Sequence, residues 1–304
     1  MADARWFDPH EPAGEADFRR LLEEALGPGA AAKPGEPLLL PPRCRAWLAG
    51  PPGAAAGFAR TAPDRETRAR GRLCLDALFV SPPRRREGIG KTLLRAVKEA
   101  AREEGLGGVW GYFPEELPEA FLAATGGRKL RTLRLFRRGD LESVPYPRLP
   151  PGYVVRPLVP PADLEPAAGL YSAIFSKMWN FRPHAGRDIA AWFEEEDASP
   201  ENCLLLDSLA EPSGLIGMAM LAVDPLRLRA GDRTAYVPDI GVRPEYRGKG
   251  WGEVLIGAAA HRARELKLSA LELIADDADI PVTAFYRRMG FEERGALQVY
   301  EWEA

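Results

Sequence analysis

Cysteine and histidine, the residues from which most protein metal sites are built, are scarce in this sequence. Three of each occur among 304 residues. Cys44, Cys74 and Cys203 are widely separated, and no C-x-x-C or Cys/His spacing that could bind a metal occurs. We therefore expect buried thiols and no metal. A cysteine nucleophile is the alternative, but no histidine lies near any of the three in sequence to activate it.

Long hydrophobic runs and an excess of one charge are also missing. No stretch of about 18 uncharged apolar residues occurs, and Asp3 and Asp8 stand where a secretory signal needs a basic and then an apolar segment. Forty-one basic against 44 acidic residues leave a net charge of -3, which provides no chain-wide positive field for nucleic acid or an anionic membrane. We expect a cytoplasmic protein without nucleic-acid or membrane partners, in which any anion site is local.

What the sequence does contain is an internal repeat. The segments Val80–Leu93 and Val242–Leu255 share valine, proline, arginine, two glycines and leucine at six positions, with a constant offset of 162 and no gap. At about 150 residues per domain, the chain has room for two domains, and 46% hydrophobic residues suffice for a core in each. Two copies of one fold in tandem are the simplest explanation.

Both copies have the same surroundings, which predict a fold of the α/β (α+β) class. A run of strand-forming residues, Leu73–Val80 or Ala235–Val242, precedes each motif, and an apolar pattern of helical period follows it. The motif is thus predicted to be a strand-to-helix turn. Between the copies, the proline-rich stretch 145–152 is typical of a connector. We predict an N-terminal domain of residues 1–146 and a C-terminal domain of residues 147–304.

The glycines of the turn predict a phosphate site. The first backbone N–H groups of a helix lack partners and lie at the positive end of the helix dipole, so this end attracts anions. In the second copy, glycine at 248, 250 and 252 removes the Cβ atoms that would keep a pyrophosphate from the backbone. Arg247 and Lys249 add positive charge there.

A basic run, Arg128–Arg138, alternates with leucine and predicts one solvated face of a late strand rather than a polyanion site.

Two other phosphate motifs do not fit this turn. A dinucleotide fingerprint G-x-G-x-x-G that starts at Gly250 needs glycine where Leu255 stands. A P-loop that ends in Gly90-Lys91-Thr92 needs glycine where Arg85 stands. Neither a dinucleotide-binding site nor a P-loop site for a nucleoside triphosphate is therefore expected.

The pattern V-x-P-x-x-R-x-x-G-x-G, present in both halves, resembles the acyl-CoA signature of the GCN5-related N-acetyltransferase (GNAT) superfamily. Ala284–Phe291 is similar to the family's next segment, a helix that carries a tyrosine and is followed by Gly-Phe. The tandem arrangement is similar to that of mycothiol synthase-like proteins. The resemblance implies two GNAT-like domains, each with a mixed sheet that splays at its centre between flanking helices. It also implies acetyl-CoA, or another acyl-CoA, inserted in the split.

The resemblance assigns functions in the second copy by motif position. Tyr286 would be the general acid, since a phenol of pKa about 10 can deliver a proton to a leaving thiolate of pKa about 8.5. A packed aromatic on an amphipathic helix is the alternative for this tyrosine. Backbone groups of Ile240 and Val242 would pair with the pantetheine arm. The residues that would hold the pyrophosphate are Arg247, Gly248, Lys249, Gly250, Trp251 and Gly252.

A base is also needed, because an amine acceptor is mostly protonated near pH 7. Asp239 is the candidate because it interrupts an apolar strand near the expected thioester; a purely structural bond to backbone or an arginine is the alternative. Asp279 stands seven residues before Tyr286, where many relatives have asparagine, which leaves its contact with the cofactor open. The cluster Asp276, Asp277 and Asp279 is expected to be a solvated loop rather than a metal site.

The first copy departs from the pattern at the acid. Aligning Gly126-Gly127 with Gly290-Phe291 sets the register. It puts Leu122 at the position of Tyr286, and leucine cannot donate a proton. We therefore expect the first domain to be catalytically silent; it either binds acyl-CoA through its surviving motif residues or is structural. Those residues are Val80, Arg85, Arg86, Gly88 and Gly90.

The acceptor is expected at the connection between the first two helices of the second domain. Candidate contacts to a small polar or anionic amine are Trp179, Phe181, Arg182 and His184. Alternatively, these side chains pack under the loop or face the first domain. The sequence thus predicts an acyl-CoA-dependent N-acyltransferase that acts on a small-molecule primary amine, with its working site in the second domain. A non-catalytic acyl-CoA-binding protein is the alternative.

Overall fold

The computed structural model describes residues 3–7, 11–26, 44–62, 64–145, 148–194, 197–209, 214–229 and 231–304. No described helix is long and apolar enough to cross a membrane. The strands are, in chain order, β1 (Ala4–Trp6), β2 (Arg45–Ala49), β3 (Gly57–Ala62), β4 (Arg72–Val80), β5 (Gly108–Phe113), β6 (Arg128–Arg138), β7 (Tyr153–Pro157), β8 (Cys203–Ser208), β9 (Leu215–Met220), β10 (Thr234–Tyr236), β11 (Ile240–Val242), β12 (Ala270–Asp276) and β13 (Glu292–Glu303).

Helices alternate with these strands, which confirms the predicted mixed α/β class. They are α1 (Pro12–Leu26), α2 (Arg65–Ala69), α3 (Ile89–Glu103), α4 (Glu119–Thr125), α5 (Leu164–Phe175), α6 (Gly186–Trp192), α7 (Pro225–Arg229), α8 (Trp251–Glu265) and α9 (Ile280–Arg288). Short 3-10 turns at Pro82–Arg84 and Pro244–Tyr246 precede α3 and α8. Each repeat motif is therefore a strand-to-helix turn, as predicted.

The chain divides into two compact units. Unit 1 comprises Met1–Leu133 and Ala296–Ala304, and unit 2 comprises Arg134–Gly295. The end of β6 therefore belongs to unit 2, and most of β13 belongs to unit 1. The predicted boundary between residues 146 and 147 lies outside the described residues and stays a prediction.

The sheet of unit 1 has the strand order β1-β2-β3-β4-β5-β13-β6. β4 pairs with β3 in antiparallel fashion as far as Val80, but it pairs with β5, in parallel, only over Arg72–Leu75. Residues 76–80 of β4 therefore have no partner in β5. The sheet opens at this point, as the resemblance implies.

Helix α3 covers this sheet with an apolar face. Leu93, Leu94 and Val97 recur at the spacing of one helix face and are buried. They belong to one core cluster with Tyr300 and Trp302 of β13, which pairs with β5 in antiparallel fashion. The last strand of the chain thus completes the core of unit 1.

Unit 2 has strands in two sheets, in the orders β11-β9-β8-β7 and β6-β12-β10. The sequence predicts one strand over Ala235–Val242. This prediction is wrong, because the chain leaves strand geometry at Val237–Asp239, between β10 and β11. Pro238 has no N–H to donate to a neighbouring strand, so a continuous ladder cannot pass through it.

Hydrogen bonds to β12 end at this break, whereas bonds to the end of β9 and the residues after it lie on both sides of it; Tyr236, before the break, bonds Ala222 at 2.7 and 2.9 Å. Val237 N donates to Glu272 O in β12 at 2.7 Å, whereas Asp239 O accepts from Met220 N, at the end of β9, at 2.8 Å. β10 runs parallel to β12, and β11 runs antiparallel to β9. A split therefore opens at the centre of unit 2, as the resemblance implies.

The three cysteines are free thiols. Cys74 and Cys203 are buried, as predicted, whereas Cys44 is only half-buried. Burial, and next the charge of Asp239, raise the pKa of the Cys203 thiol to about 12. This group is therefore protonated at neutral pH and is not a nucleophile.

Replacement of Trp302 by alanine should destabilise unit 1. Trp302 is 0% exposed and its indole N–H donates to Thr125 Oγ1 at 3.0 Å; truncation of a buried aromatic costs about 3–5 kcal/mol in the free energy of unfolding. Trp6→Ala is the matched control, since Trp6 is 52% exposed in the same unit and should cost much less. Urea unfolding followed by circular dichroism measures both. Equal losses would show that the last strand does not stabilise this core.

Candidate functional site

The repeat motif of unit 2 forms a tight turn into the N-terminus of α8. Gly248 and Gly250 have φ values of 73° and 83°, a region that glycine adopts readily. The first helical bond runs from Val254 N to Gly250 O at 3.2 Å, so the N–H groups of residues 251–253 have no helical acceptor. No other group among the described residues accepts from them. At the positive end of the helix dipole, these donors form a site for an anion.

The three glycines of this turn differ in the space that a Cβ atom would have. A Cβ on Gly248 or Gly250 would meet no atom within 4 Å, so the approach to the turn is open to a ligand. A Cβ on Gly252 would instead lie 3.0 Å from the ring of Phe285. Glycine at 252 is therefore explained by the packing of α8 against α9, a different reason from the pyrophosphate approach that the sequence suggests.

The basic side chains of the turn are bonded to backbone carbonyls. Arg247 donates through Nε to Val242 O at 3.1 Å and through Nη2 to Ile174 O at 2.9 Å. Lys249 Nζ donates to Glu245 O at 3.0 Å. Arg247 thus fastens the turn to β11 and α5 while its charge stays beside the anion site. The Trp251 side chain packs away from the turn, in the core around β9 and β11.

The second part of the site is the edge of β11 that borders the split. Asp239 O and Arg243 N bond β9 residues, at 2.8 and 2.9 Å. Because backbone groups alternate in direction along a strand, those of Ile240 and Val242 turn away from β9. This edge suits the pairing of an extended ligand arm with the backbone, in the place where the sequence predicts it.

Tyr286 lies on α9 inside an aromatic cluster. The residue is 7% exposed, and the ring centroids of Phe136, Phe285 and Phe291 are 5.5–5.8 Å from its own. Burial, reinforced by the charge of Asp279, raises the pKa of the phenol, so the hydroxyl stays protonated at neutral pH. No group in the described part of the chain forms a hydrogen bond with this hydroxyl. Its function as the general acid stays a prediction.

Asp279 begins helix α9. Its carboxylate accepts from Val282 N at 3.2 Å as the N-cap, which gives it a structural function besides the predicted cofactor contact. Asp277 pairs with Arg134 at 2.8 Å. Within the described ranges, no group of acidic, cysteine or histidine side chains has the arrangement of a metal site.

Asp239 is half-buried at the break between β10 and β11. After burial, its charge helps to raise the pKa of the Cys203 thiol in β8. The backbone carbonyl of Asp239, which accepts from Met220 N in β9, also fixes the backbone at this break. The position agrees with a base near the ligand arm, and this function stays a prediction.

The candidate acceptor residues lie in the connection from α5 to α6. His184 is buried and packs on two aromatic rings, with centroids 4.3 and 5.6 Å away. Arg182 pairs with Asp188, in the first turn of α6, at 3.2 Å. The contacts of these two side chains stabilise the connection. They agree with the alternative in which these residues pack under the loop. Trp179 and Phe181 are half-buried, and their contact with an acceptor stays a prediction.

The turn of the first repeat has the same geometry. Arg85 Nε donates to Val80 O at 3.2 Å, as the equivalent arginine of unit 2 does at 3.1 Å. Gly88 has the φ of 83° found at its counterpart. Arg86 has a φ of 70° where the second repeat has glycine, a costly conformation for a residue with a Cβ. Unit 1 therefore keeps the geometry of the turn, and whether this turn binds acyl-CoA or is structural stays open.

Helix α4 of unit 1 corresponds to α9 of unit 2. The ring of Phe121 faces Gly90 at 3.2 Å from the position of a Cβ, which repeats the contact between α9 and α8. The carbonyls of Leu122 and Tyr286 accept equivalent bonds from the residue five positions later, at 2.9 and 3.0 Å. The structure thus supports the register that puts leucine at the position of the phenol.

Sequence reasoning missed two groups at this site. The basic run is confirmed as strand β6, but Phe136 within it is fully buried against Tyr286 rather than part of a solvated face. Glu272 in β12 is also buried and accepts from Arg137 and Arg227, at 2.7 and 2.8 Å. An acidic residue in an apolar strand was the available signal for Glu272. For Phe136 no local signal exists, because its partner lies 150 residues later.

Comparisons with known proteins point to one family. The Acetyltransferase (GNAT) family model matches residues 2–115 and 168–291, one match over each repeat motif. The mycothiol acetyltransferase of Thermomonospora curvata is 29% identical over 267 residues, which cover 85% of this chain and 82% of that protein. That of Actinosynnema mirum is 28% identical over 306 residues, which cover 96% of each protein.

Solved structures share the fold. A GCN5-related N-acetyltransferase from Sphaerobacter thermophilus matches with a TM-score of 0.72 and 20% identity, over 99% of this chain and 95% of that one. A tandem GNAT protein from the clavulanic acid biosynthesis pathway matches with a TM-score of 0.67 and 20% identity, over 100% and 98%. The prediction of two GNAT-like domains in tandem is confirmed.

Substitution of Glu272 by glutamine should lower stability at neutral pH and flatten its acid dependence. Burial opposes ionisation of this carboxyl, but the bonds from Arg227 and Arg137 outweigh it and lower its pKa below 4.5. The stabilisation is therefore present above about pH 4.5 and is lost as the pH falls through the folded-state pKa. We expect a loss of about 1–3 kcal/mol at pH 7, measured by urea unfolding across pH.

The control for this experiment is Glu292→Gln. Glu292 pairs with Arg294 at the surface and is 69% exposed, so its removal should cost less than about 1 kcal/mol. A pH dependence of Glu272→Gln identical to that of the wild type would contradict the assigned ion pair.

Proposed function

This chain belongs to the Acetyltransferase (GNAT) family, and from that premise we propose that it transfers an acyl group, with acetyl as the first candidate, from coenzyme A to a primary amine of a small molecule. The working site is in unit 2, where the turn into α8 and the free edge of β11 lie beside the split. Unit 1 has the same turn but is catalytically silent.

A difference at one aligned position carries this assignment. Both repeats have the turn with its left-handed glycine and its arginine bonded to a strand carbonyl. Only the second has a phenol on the following helix, at Tyr286, where the first has Leu122. A thioester held at the first turn would have no proton donor at this position.

The residues of unit 2 fit an acyl-CoA. The N–H groups of residues 251–253 and the open space over Gly248 and Gly250 suit a pyrophosphate. The backbone of Ile240 and Val242 suits the amide-bearing pantetheine arm. When bound, acyl-CoA supplies an activated acyl group as a thioester. Arg247, through its two carbonyl bonds, holds the turn and the strand edge in one geometry.

Two side chains handle the protons in this proposal. Asp239 accepts a proton from the ammonium form of the acceptor, directly or through water, so that the amine can attack. Tyr286 donates its hydroxyl proton to the sulfur as the C–S bond breaks and the new amide bond forms, and the second proton that the nitrogen loses returns the tyrosinate to a phenol. Burial raises the pKa of Tyr286, which keeps the donor form populated at neutral pH.

The acceptor is proposed to bind near the connection from α5 to α6, where Trp179 and Phe181 are half-buried. Relatives named mycothiol acetyltransferase support a small-molecule acceptor. The net charge of -3 supports neither nucleic acid nor an anionic membrane as partner. We place this activity in the cytoplasm.

Tyr286→Phe should lower turnover by about 10²–10⁴-fold, the usual cost of a lost general acid, and leave the affinity for acetyl-CoA unchanged. CoA release with a panel of amines measures the first, and calorimetry measures the second. Tyr300→Phe is the control, because Tyr300 is a buried tyrosine of unit 1 whose hydroxyl accepts from Leu117 N at 2.9 Å. An unchanged single-turnover rate in Tyr286→Phe would remove it from the mechanism.

Gly250→Val should abolish activity, whereas Gly88→Val should lower it far less. The two glycines are a matched pair: both have a φ of 83°, and a Cβ on either would meet no atom within 4 Å. Backbone strain is therefore equal, and the variants differ in which anion site they damage. Calorimetric counting of CoA per chain accompanies the turnover assay. Loss of turnover in folded Gly88→Val that still binds acetyl-CoA in unit 2 would refute the assignment to unit 2.

A further inference from the structure

Strand β6 presents three side chains at alternate positions to helix α9. Successive side chains of a strand point to opposite faces of a sheet, so Arg134, Phe136 and Arg138 share one face. Each contacts a different part of the segment that contains α9, and all of these residues belong to unit 2.

The two arginines hold the ends of α9. Arg134 donates to Asp277, before the helix, through Nε at 2.8 Å and Nη2 at 3.1 Å, and to Glu293, after it, through Nη1 at 2.8 Å. Arg138 Nη1 donates to the carbonyl of Met289, the C-cap residue of α9. Both ends of the helix are therefore fixed to β6.

Phe136 packs against Tyr286 between these two anchors. It is 0% exposed, its ring centroid is 5.8 Å from that of Tyr286, and the planes meet at 46°. The guanidinium carbon of Arg287 lies 5.6 Å from the Phe136 centroid. In a close-packed core the phenol cannot turn toward β6 without displacing a buried ring. The contact with Phe136 thus prevents the phenol ring of Tyr286 from turning toward β6 and keeps water away from that side of the ring.

We propose that Phe136 is a positioning residue for Tyr286, and that with Arg134 and Arg138 it fixes α9 so that the phenol keeps one orientation. This inference rests on the proposed acid function of Tyr286. Phe136 precedes residue 147 and so falls in the N-terminal domain predicted from the sequence. In the structure, this part of β6 instead belongs to unit 2, together with α9.

Substitutions at Phe136 test this function by kinetics. Phe136→Leu retains most of the apolar volume, and we expect kcat to fall about 10- to 100-fold, as for a misplaced catalytic group, with Phe136→Ala losing more. The Kd for acetyl-CoA should not change, since the turn into α8 and the edge of β11 are untouched. Leu135→Ala is the matched control on the opposite face of the same strand, outside the cluster around Tyr286, and should keep the wild-type kcat.

A second measurement follows Tyr286 without depending on turnover. The ultraviolet difference between each protein and its Tyr286→Phe counterpart reports tyrosinate formation at this residue alone. We expect Tyr286 to ionise at lower pH in the Phe136 variants, toward the ordinary pKa of about 10, because water enters where the ring was. The charged side chains of α9 and β6 around it are the same in every variant: Asp279, Arg287, Arg134 and Arg138.

Either a wild-type kcat or an unshifted titration in the Phe136 variants overturns the inference. If Phe136→Ala does not fold, the same two measurements on Phe136→Leu decide. If Tyr286→Phe itself keeps the wild-type turnover, the proposed acid function fails instead, and the titration alone then decides whether Phe136 fixes the phenol.

Discussion

The break of the backbone at Val237–Asp239 is the constraint on which the rest of unit 2 depends. A strand that continued through it would pair on both sides and leave no free edge for a ligand. Pairing with the end of β9 and the residues after it continues across the break, from Tyr236 with Ala222 to Asp239 with Met220, whereas pairing with β12 ends at Val237. One side of β11 is thereby left open, next to the only carboxylate of the interrupted strand. Unit 1 has a similar opening, where the register of β4 with β3 shifts between Leu75 and Ala77 and its pairing with β5 ends at Leu75.

The two repeats share the turn and differ at the position of the proposed acid. Their turns agree in the dihedral angles of the capping glycine, in the arginine bond to a strand carbonyl and in the bounds of the helices that follow, which keep the offset of 162. An anion site of this kind needs only backbone N–H donors and space for the ligand, so it tolerates substitutions elsewhere in the domain. Proton donation needs one specific side chain, and leucine, which stands at the aligned position of unit 1, cannot donate a proton.

Local features of the fold and site were predictable from the sequence, and long-range ones were not. The strand-to-helix turns, the mixed class and the correspondence of Leu122 with Tyr286 follow from glycines and from spacing, which act over a few residues. The break within the predicted strand Ala235–Val242 was missed, because the inference gave the apolar pattern more weight than Pro238. The burial of His184 and the contact of Phe136 with α9 depend on tertiary packing, for which one sequence carries no local pattern.

The place of β13 has a consequence for how the chain folds as it is made. Glu303 pairs with Gly108, and Tyr300 and Trp302 fill the core beneath α3, yet they are synthesised long after the rest of unit 1. N-terminal domains usually fold first during synthesis. Here the apolar face of α3 stays partly uncovered until β13 has been synthesised, and contacts so distant in sequence make closure slow. Emergence of β13, rather than emergence of the first repeat, is the event that lets unit 1 complete its core.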